Sequence, residues 1–133
     1  MDKGCYYIHP LTWYNKLPIP PSVKSVVIMG DPRYRYLPQI GNRHSLEYRA
    51  RISKIFADSH GLPVTIREPR SADDDLAFMS RARHLVPSRG GFGAIITDTV
   101  LHHSGSVFLR GAWTSRPRHV TASGCTESGN DER

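Results

Sequence analysis

A glycine-rich segment offers the clearest candidate chemistry in this chain. Residues 88–93 are Ser-Arg-Gly-Gly-Phe-Gly, and an apolar helical pattern follows them. Glycines let a ligand approach the backbone, and the N–H groups and dipole of a helix start attract anions. The spacing is neither a Walker loop nor the dinucleotide Gly-Xaa-Gly-Xaa-Xaa-Gly motif. We therefore predict a phosphate seat formed by Ser88, Arg89, Gly90, Gly91, Phe92 and Gly93. A glycine pair that only turns the chain into the helix is an equal alternative.

Arginines follow several of the predicted strands. The chain has fourteen Arg and only four Lys, and the guanidinium group binds phosphate in a planar, bidentate way. Arg67 directly follows a predicted strand, so we expect it to reach the same sheet edge as the phosphate seat. Arg33 and Arg35 belong to the first predicted loop, where a solvated basic rim is the favoured interpretation.

Three consecutive aspartates, Asp73–Asp75, follow Ser71. They could supply a base or a metal site, but acids in the first turn after a capping serine also stabilise a helix by themselves. We favour that structural role for Asp73 and Asp74. Asp75 lies one helical turn before Met79, and we predict that it leans toward the sheet edge.

Other kinds of site lack a signature. The seven histidines have no metal-ligand spacing, and no Gly-Xaa-Ser-Xaa-Gly elbow supports a Ser-His-Asp triad. Cys5 and Cys125 provide neither a disulfide framework nor a zinc motif, so free thiols are expected. We predict no metal and no bound cofactor.

Short β-branched runs alternate with helical patterns between residues 25 and 109. The predicted elements are, in order, strand Ser25–Met29, helix Ser45–Ser59, strand Val64–Ile66, a helix capped by Ser71 whose last turn holds Arg81, Arg83 and His84, a short strand at Leu85–Val86, helix Phe92–His102 and strand Ser106–Leu109. Connections of this length suit parallel crossovers. The fold class is therefore α/β, a small doubly wound, mostly parallel sheet, and ligands are expected beyond the carboxyl ends of its strands, near residues 30, 67, 88–91 and 110–111.

Periodicity also predicts which helical residues are buried. Ser45 is the expected N-cap of the first of these helices and Gly61 its stop. Its apolar stripe comprises Tyr48, Ile52, Ile55 and Phe56. In the last helix the expected buried positions are Phe92, Ile95, Ile96, Thr99 and Val100.

Length and composition bound the remaining possibilities. At 133 residues the chain fits one domain. We predict an aromatic N-terminal arm at 1–21, the α/β domain at 22–114 and a disordered tail at 115–133. The longest aliphatic run, Val26–Met29, is far too short to span a membrane, and no signal peptide is predicted, which leaves the cytoplasm as the default location. The net charge of +6 allows association with RNA, but no nucleic-acid motif supports it, so nucleic acid is the less favoured partner.

The stretch from Asp73 to Ile96 resembles the last block of fucosyltransferase-like glycosyltransferases, which have two Rossmann-type domains. The resemblance rests on the aspartates, on Leu76-Ala77-Phe78-Met79-Ser80, on Ser88 and on Gly91-Phe92-Gly93-Ala94, and the order of elements extends it to about residues 22–110. In that family the block belongs to the C-terminal domain and seats the diphosphate of GDP-fucose. The resemblance implies a Rossmann-like nucleotide-sugar-binding domain whose donor substrate is a GDP-sugar, with Arg67 and Asp75 near the nucleotide.

The chain departs from the family at positions that matter for transfer. Glycines stand where the family has hydroxyl residues, and its His-Xaa-Arg-Arg segment has no match here. We also expect that an acceptor-binding domain or chain is missing from this sequence. A complete enzyme of this type would transfer the sugar with inversion and without metal, by stabilising the departing diphosphate. We therefore expect a half that is incomplete for catalysis, with a non-catalytic Rossmann-like binding module and a basic RNA-associating protein as alternatives.

Overall fold

A computed structural model describes residues 9–30, 38–87 and 91–115. For residues 38–42 and 91 it describes the backbone only. It is mixed α/β with small, partly parallel sheets. The elements are α1 Leu11–Lys16, β1 Val26–Met29, α2 Pro38–Asp58, β2 Val64–Arg67, α3 Ala72–Met79, β3 His84–Leu85, α4 Gly91–His102, β4 Ser106–Leu109 and β5 Ala112–Thr114. The chain divides after Arg70 into two compact units. We call the described residues up to Arg70 the N-terminal unit and those from Ser71 the C-terminal unit.

The N-terminal unit is built on one parallel strand pair joined through α2. β1 and β2 align with Val26 opposite Val64 and Met29 opposite Arg67. A parallel pair needs a long crossover, and α2 supplies it. Arg67 is therefore the last residue of β2, one position beyond the predicted end of that strand.

Helix α2 confirms the predicted stripe and corrects its start. Ile52 and Phe56 are buried, and Tyr48 is half-buried. The helix begins at Pro38 rather than after Ser45, because a proline is well suited to the first helical position, where its missing N–H costs nothing. It ends at Asp58, and Gly61 follows with φ +66°, as the predicted stop requires.

Aromatic residues tie α1 to α2. Tyr14 makes edge contacts with Tyr48 and Phe56 at centroid distances of 6.3 and 6.2 Å. The Tyr48 hydroxyl donates to the His9 carbonyl at 2.5 Å, and a ring nitrogen of His60 lies 2.8 Å from the Tyr14 carbonyl. These hydrogen bonds satisfy polar atoms inside an otherwise apolar contact.

The C-terminal unit holds a three-stranded sheet in the order β3-β4-β5. β3 and β4 are parallel, with Leu85 opposite Val107, whereas β4 and β5 form an antiparallel hairpin. Arg110 and Gly111 occupy its turn with φ +52° and +77°, the two positive angles of a type I′ turn. Residues 110–111 therefore follow the carboxyl end of β4, as predicted, and they form a tight turn into β5. A ligand beyond this strand end stays a prediction.

Two expectations about the sheet as a whole need correction. The described strands form two sheets, β1-β2 and β3-β4-β5, instead of one four-stranded sheet. β5 was absent from the predicted order, because Ala112–Thr114 has only three residues and a single large apolar side chain. The domain boundaries after residues 21 and 114 stay predictions, and residues 116–133, Cys5 and Cys125 lie outside the described residues.

Helix α3 starts where predicted and ends earlier. The Ser71 hydroxyl accepts the Asp74 N–H at 3.1 Å, a regular N-cap. The helix stops at Met79, so Arg81, Arg83 and His84 are not in its last turn. The reason is local: tight turn hydrogen bonds from residues 81 and 82 replace the helical ones, and His84 enters β3 instead.

Helix α4 buries Ile96 and Val100, as predicted, but the rest of its buried face differs from the prediction. The cluster at the centre of the unit contains Ile96, Val100, Leu101 and Val107. Phe92 and Ile95 are 45% and 54% exposed, so their predicted burial is wrong. The apolar residues of α4 surround the helix too completely for periodicity to select a face, and Thr97 takes an inward position because its hydroxyl is satisfied by the Gly93 carbonyl at 2.8 Å.

Candidate anion-binding site at the start of α4

The start of α4 lies in a position where many α/β proteins bind ligands. α4 is the crossover helix between the parallel strands β3 and β4, and it begins at Gly91, six residues after Leu85. In such a unit the helix start lies beyond the carboxyl end of the first strand, where ligands collect. Of the predicted phosphate seat, Gly91, Phe92 and Gly93 form the first turn of α4, whereas Ser88, Arg89 and Gly90 lie outside the described residues.

The charge at this helix start favours an anion. The first N–H groups of any helix have no partner within the helix, and the dipole makes that end positive. The first turn of α4 contains no acidic residue, whereas the first turn of α3 contains Asp73, Asp74 and Asp75. Of the two helix starts in this unit, only the start of α3 has acids in its own first turn that neutralise the positive end of the helix dipole.

Packing holds the first turn of α4 in place. Gly93 and Ala94 are buried, and Thr97, which is 3% exposed, donates its hydroxyl to the Gly93 carbonyl. Phe92 projects to the surface at 45% exposure. The first turn thus has a fixed inner side and one exposed aromatic side chain, which is a suitable arrangement for a preformed site.

Arg67 and Asp75, the other predicted site residues, lie on separate units. Arg67 is half-buried at the carboxyl end of β2 in the N-terminal unit. Asp75 is half-buried in the first turn of α3, and its N–H donates to the Ser71 carbonyl at 3.0 Å. Asp75 therefore shares a unit with Gly91–Gly93, and the convergence of Arg67 on the same ligand stays a prediction.

Known proteins give no further guidance. No protein-family model, curated protein or solved structure matches this chain. Within residues 9–30, 38–87 and 91–115, no group of three or more His, Cys, Asp or Glu is placed to hold a metal ion. No helix in that part of the chain is both long and apolar enough to cross a membrane.

A histidine and serine pair links β3 to β4 and was missed in the sequence. His84 Nδ1 lies 2.6 Å from Ser106 Oγ, and the ring of Trp113 meets the His84 ring edge-on at 5.5 Å. Both residues open their strands, at the amino ends of β3 and β4 and not at the start of α4. The Ser106 hydroxyl also donates to the Arg83 carbonyl at 3.3 Å, so it contacts both His84 and the residue before it. The pair could not be found in the sequence because His84 was assigned to a helix.

Proposed function

We propose that the chain binds a nucleoside diphosphate at the start of α4, as the nucleotide-sugar-binding half of a fucosyltransferase-like glycosyltransferase. The observation that carries the proposal is the β3-α4-β4 unit, in which a helix that starts with Gly91 and has no acid in its first turn follows a parallel strand. Backbone N–H groups at such a helix start suit phosphate oxygens. The Asp73–Ile96 resemblance supplies the further expectation of a Rossmann-like fold and of a GDP-sugar.

Binding without catalysis is the form of this proposal that the residues favour. A diphosphate leaving group needs positive charge that strengthens in the transition state. The family supplies it through a His-Xaa-Arg-Arg segment for which this chain has no counterpart. In the alternative, a non-catalytic Rossmann-like module, the same helix start binds a nucleotide whose sugar is never transferred.

The exposed side chain of Phe92 allows a direct test of the helix start. Phe92→Glu places a negative charge in the first turn of α4, and Phe92→Lys a positive one. Each charge changes the interaction with a bound phosphate by about 0.5–1 kcal/mol, so the lysine variant should bind GDP roughly tenfold more tightly than the glutamate variant. Isothermal titration calorimetry with GDP and GDP-fucose measures the difference.

Stability provides the matched control for the Phe92 variants. An acid near a helix start stabilises the helix, and a base destabilises it. Binding and thermal stability should therefore change in opposite directions, which separates loss of the site from loss of the fold. Gly91→Val should abolish binding by blocking backbone approach, and Arg116→Ala should leave it unchanged. No heat with either ligand at millimolar concentration would refute the proposal, and sugar transfer by the chain alone would refute the non-catalytic form of it.

A further inference from the structure

A line of apolar and small residues runs along the solvent side of α2. Leu46 is 44% exposed, Ala50 and Ala57 are exposed, and Ser53 is half-buried. These positions are spaced i, i+4, i+7 and i+11, so they fall within about 60° of one another around a helix with 3.6 residues per turn. The same spacing forms the contact line of paired helices. We call these four residues the α2 seam.

The seam is distinct from the side of α2 that packs inside the N-terminal unit. Ile52 and Phe56, which are 7% and 6% exposed, form that inner side. They lie about 130° and 90° around the helix from the centre of the seam. The alanines of the seam allow a second helix to approach closely, because the distance between packed helices depends on the side chains at the contact. The seam is therefore open to another helix.

Charged residues of alternating sign flank the seam on one side. In chain order they are Arg43, Glu47, Lys54 and Asp58, and all four are exposed. The outer two and the inner two share one midpoint, between residues 50 and 51, and each of these pairs joins opposite charges. A second copy of α2 that runs antiparallel therefore places Lys54 opposite Glu47 and Asp58 opposite Arg43. A two-fold axis repeats both contacts, so the charges are self-complementary.

The seam has nearly the same symmetry as the charges. In an antiparallel pair Leu46 lies opposite Ala57, and Ala50 lies opposite Ser53, about a midpoint between residues 51 and 52. The two midpoints differ by one residue, or about 1.5 Å along the axis, which a long lysine side chain can span. Arg51 is close to the two-fold axis, but it lies about 130° around the helix from the seam and is directed away from its own copy.

We propose that two copies of this chain associate through α2 as an antiparallel helix pair, with the seam at the centre and reciprocal Glu47–Lys54 ion pairs beside it. Within one chain Glu47 lies 3.6 Å from Arg43, and both side chains are largely exposed. The Glu47 carboxylate can therefore accept a second cation from the other copy. The seam is about 17 Å long, which is short for a stable interface, so the association is weak and depends on concentration. This proposal does not depend on nucleotide binding at α4.

The test is sedimentation velocity of the full chain at low salt, from about 10 μM to about 1 mM protein. The unmodified chain should show a monomer–dimer equilibrium. Glu47→Lys and Lys54→Glu each turn two attractive contacts into repulsive ones, so each should raise the dissociation constant by about tenfold or more. An equimolar mixture of these two variants should associate again, because each reversed charge then meets an opposite charge on the other chain. Ala50→Gln, which enlarges a neutral seam residue, should also weaken association.

Arg81→Glu is the matched control for Lys54→Glu. Arg81 is exposed in the C-terminal unit, and its replacement changes the net charge by the same amount. This variant should associate like the unmodified chain, and circular dichroism verifies that each variant is folded. An unmodified chain that stays monomeric at the highest concentration overturns the proposal and leaves the seam to a different protein. The proposal is also overturned if the charge variants associate like the unmodified chain, or if their mixture does not associate.

Discussion

Gly105 offers a sharp test of the packing in the C-terminal unit. It lies between α4 and β4, and its N–H donates to the Val100 carbonyl at 2.9 Å. A Cβ atom added there would lie 2.6 Å from Val100 Cγ1 and 2.7 Å from the Ala82 carbonyl oxygen. Val100 is fully buried, so its methyl group has little room to move. We therefore predict that Gly105→Ala destabilises this unit.

The size of the effect follows from two opposing terms. Adding a methyl group to a tight core costs about 1–3 kcal/mol, and a contact with a backbone carbonyl places this site at the upper end, because no rotamer change relieves it. Reduced freedom of the unfolded chain returns about 0.4–1 kcal/mol. The free energy of unfolding should fall by about 2 kcal/mol.

The two tryptophans make the measurement specific to one unit, because Trp13 lies in α1 and Trp113 in β5. In a Trp13→Phe background, Trp113 alone reports urea unfolding of the C-terminal unit. With a urea slope of about 2 kcal/mol per M, Gly105→Ala should lower the midpoint by about 1 M.

Gly30→Ala is a control for adding a methyl group where there is room. Because Gly30 lies in the N-terminal unit, its unfolding is followed through Trp13 in a Trp113→Phe background. A Cβ atom at Gly30 meets no atom within 4 Å, so the free energy of unfolding should stay within about 0.5 kcal/mol of the parent. A midpoint for Gly105→Ala equal to that of the parent would contradict the close approach of Gly105 to the Ala82 carbonyl.

Two further predictions concern serines and ion pairs. Ser71→Ala removes the N-cap of α3 and should lower the free energy of unfolding by about 1 kcal/mol, whereas Ser45→Ala, in the interior of α2, should be neutral or slightly stabilising. Urea unfolding compares the two variants, and equal losses would contradict the described start of α2. Arg49→Gln breaks the two-point pair with Glu68 and should lower the free energy of unfolding by up to about 1 kcal/mol, whereas Arg43→Gln should lower it by less than about 0.5 kcal/mol. Thermal unfolding in low salt measures both effects, and a larger loss for Arg43→Gln would contradict the described ion pairs.

Local signals in the sequence predicted the elements whose causes are local. The cap at Ser71 and the stop at Gly61 depend on a few neighbouring residues, and both are confirmed. The stripe of α2 was also predictable, because polar residues separate its apolar positions clearly. The buried face of α4 was not, since Phe92 and Ile95 are as apolar as the residues that pack inward.

Pairing between strands was harder to predict than the strands themselves. β1, β2 and β4 are apolar runs bounded by breakers, but nothing in a run says which neighbour it joins. The separation into two sheets depends on contacts between distant residues, as does the pairing of His84 with Ser106. For the candidate site, the sequence predicted both the glycine-rich helix start and the convergence of Arg67. Gly91–Gly93 do form the first turn of α4, whereas the convergence of Arg67 stays a prediction.

The two helix starts of the C-terminal unit bear on where an anion would bind. Both starts expose N–H groups at the positive end of a helix dipole. At α3, however, the Ser71 hydroxyl accepts one of these N–H groups, and the three carboxylates of the first turn repel a bound anion. At α4 the first turn brings no carboxylate, and its buried inner side fixes the geometry. A phosphate that could reach either start would therefore favour α4, where it meets attraction without repulsion. Phe92→Glu is thus the most informative single change, because it gives α4 the acidic first turn that α3 already has.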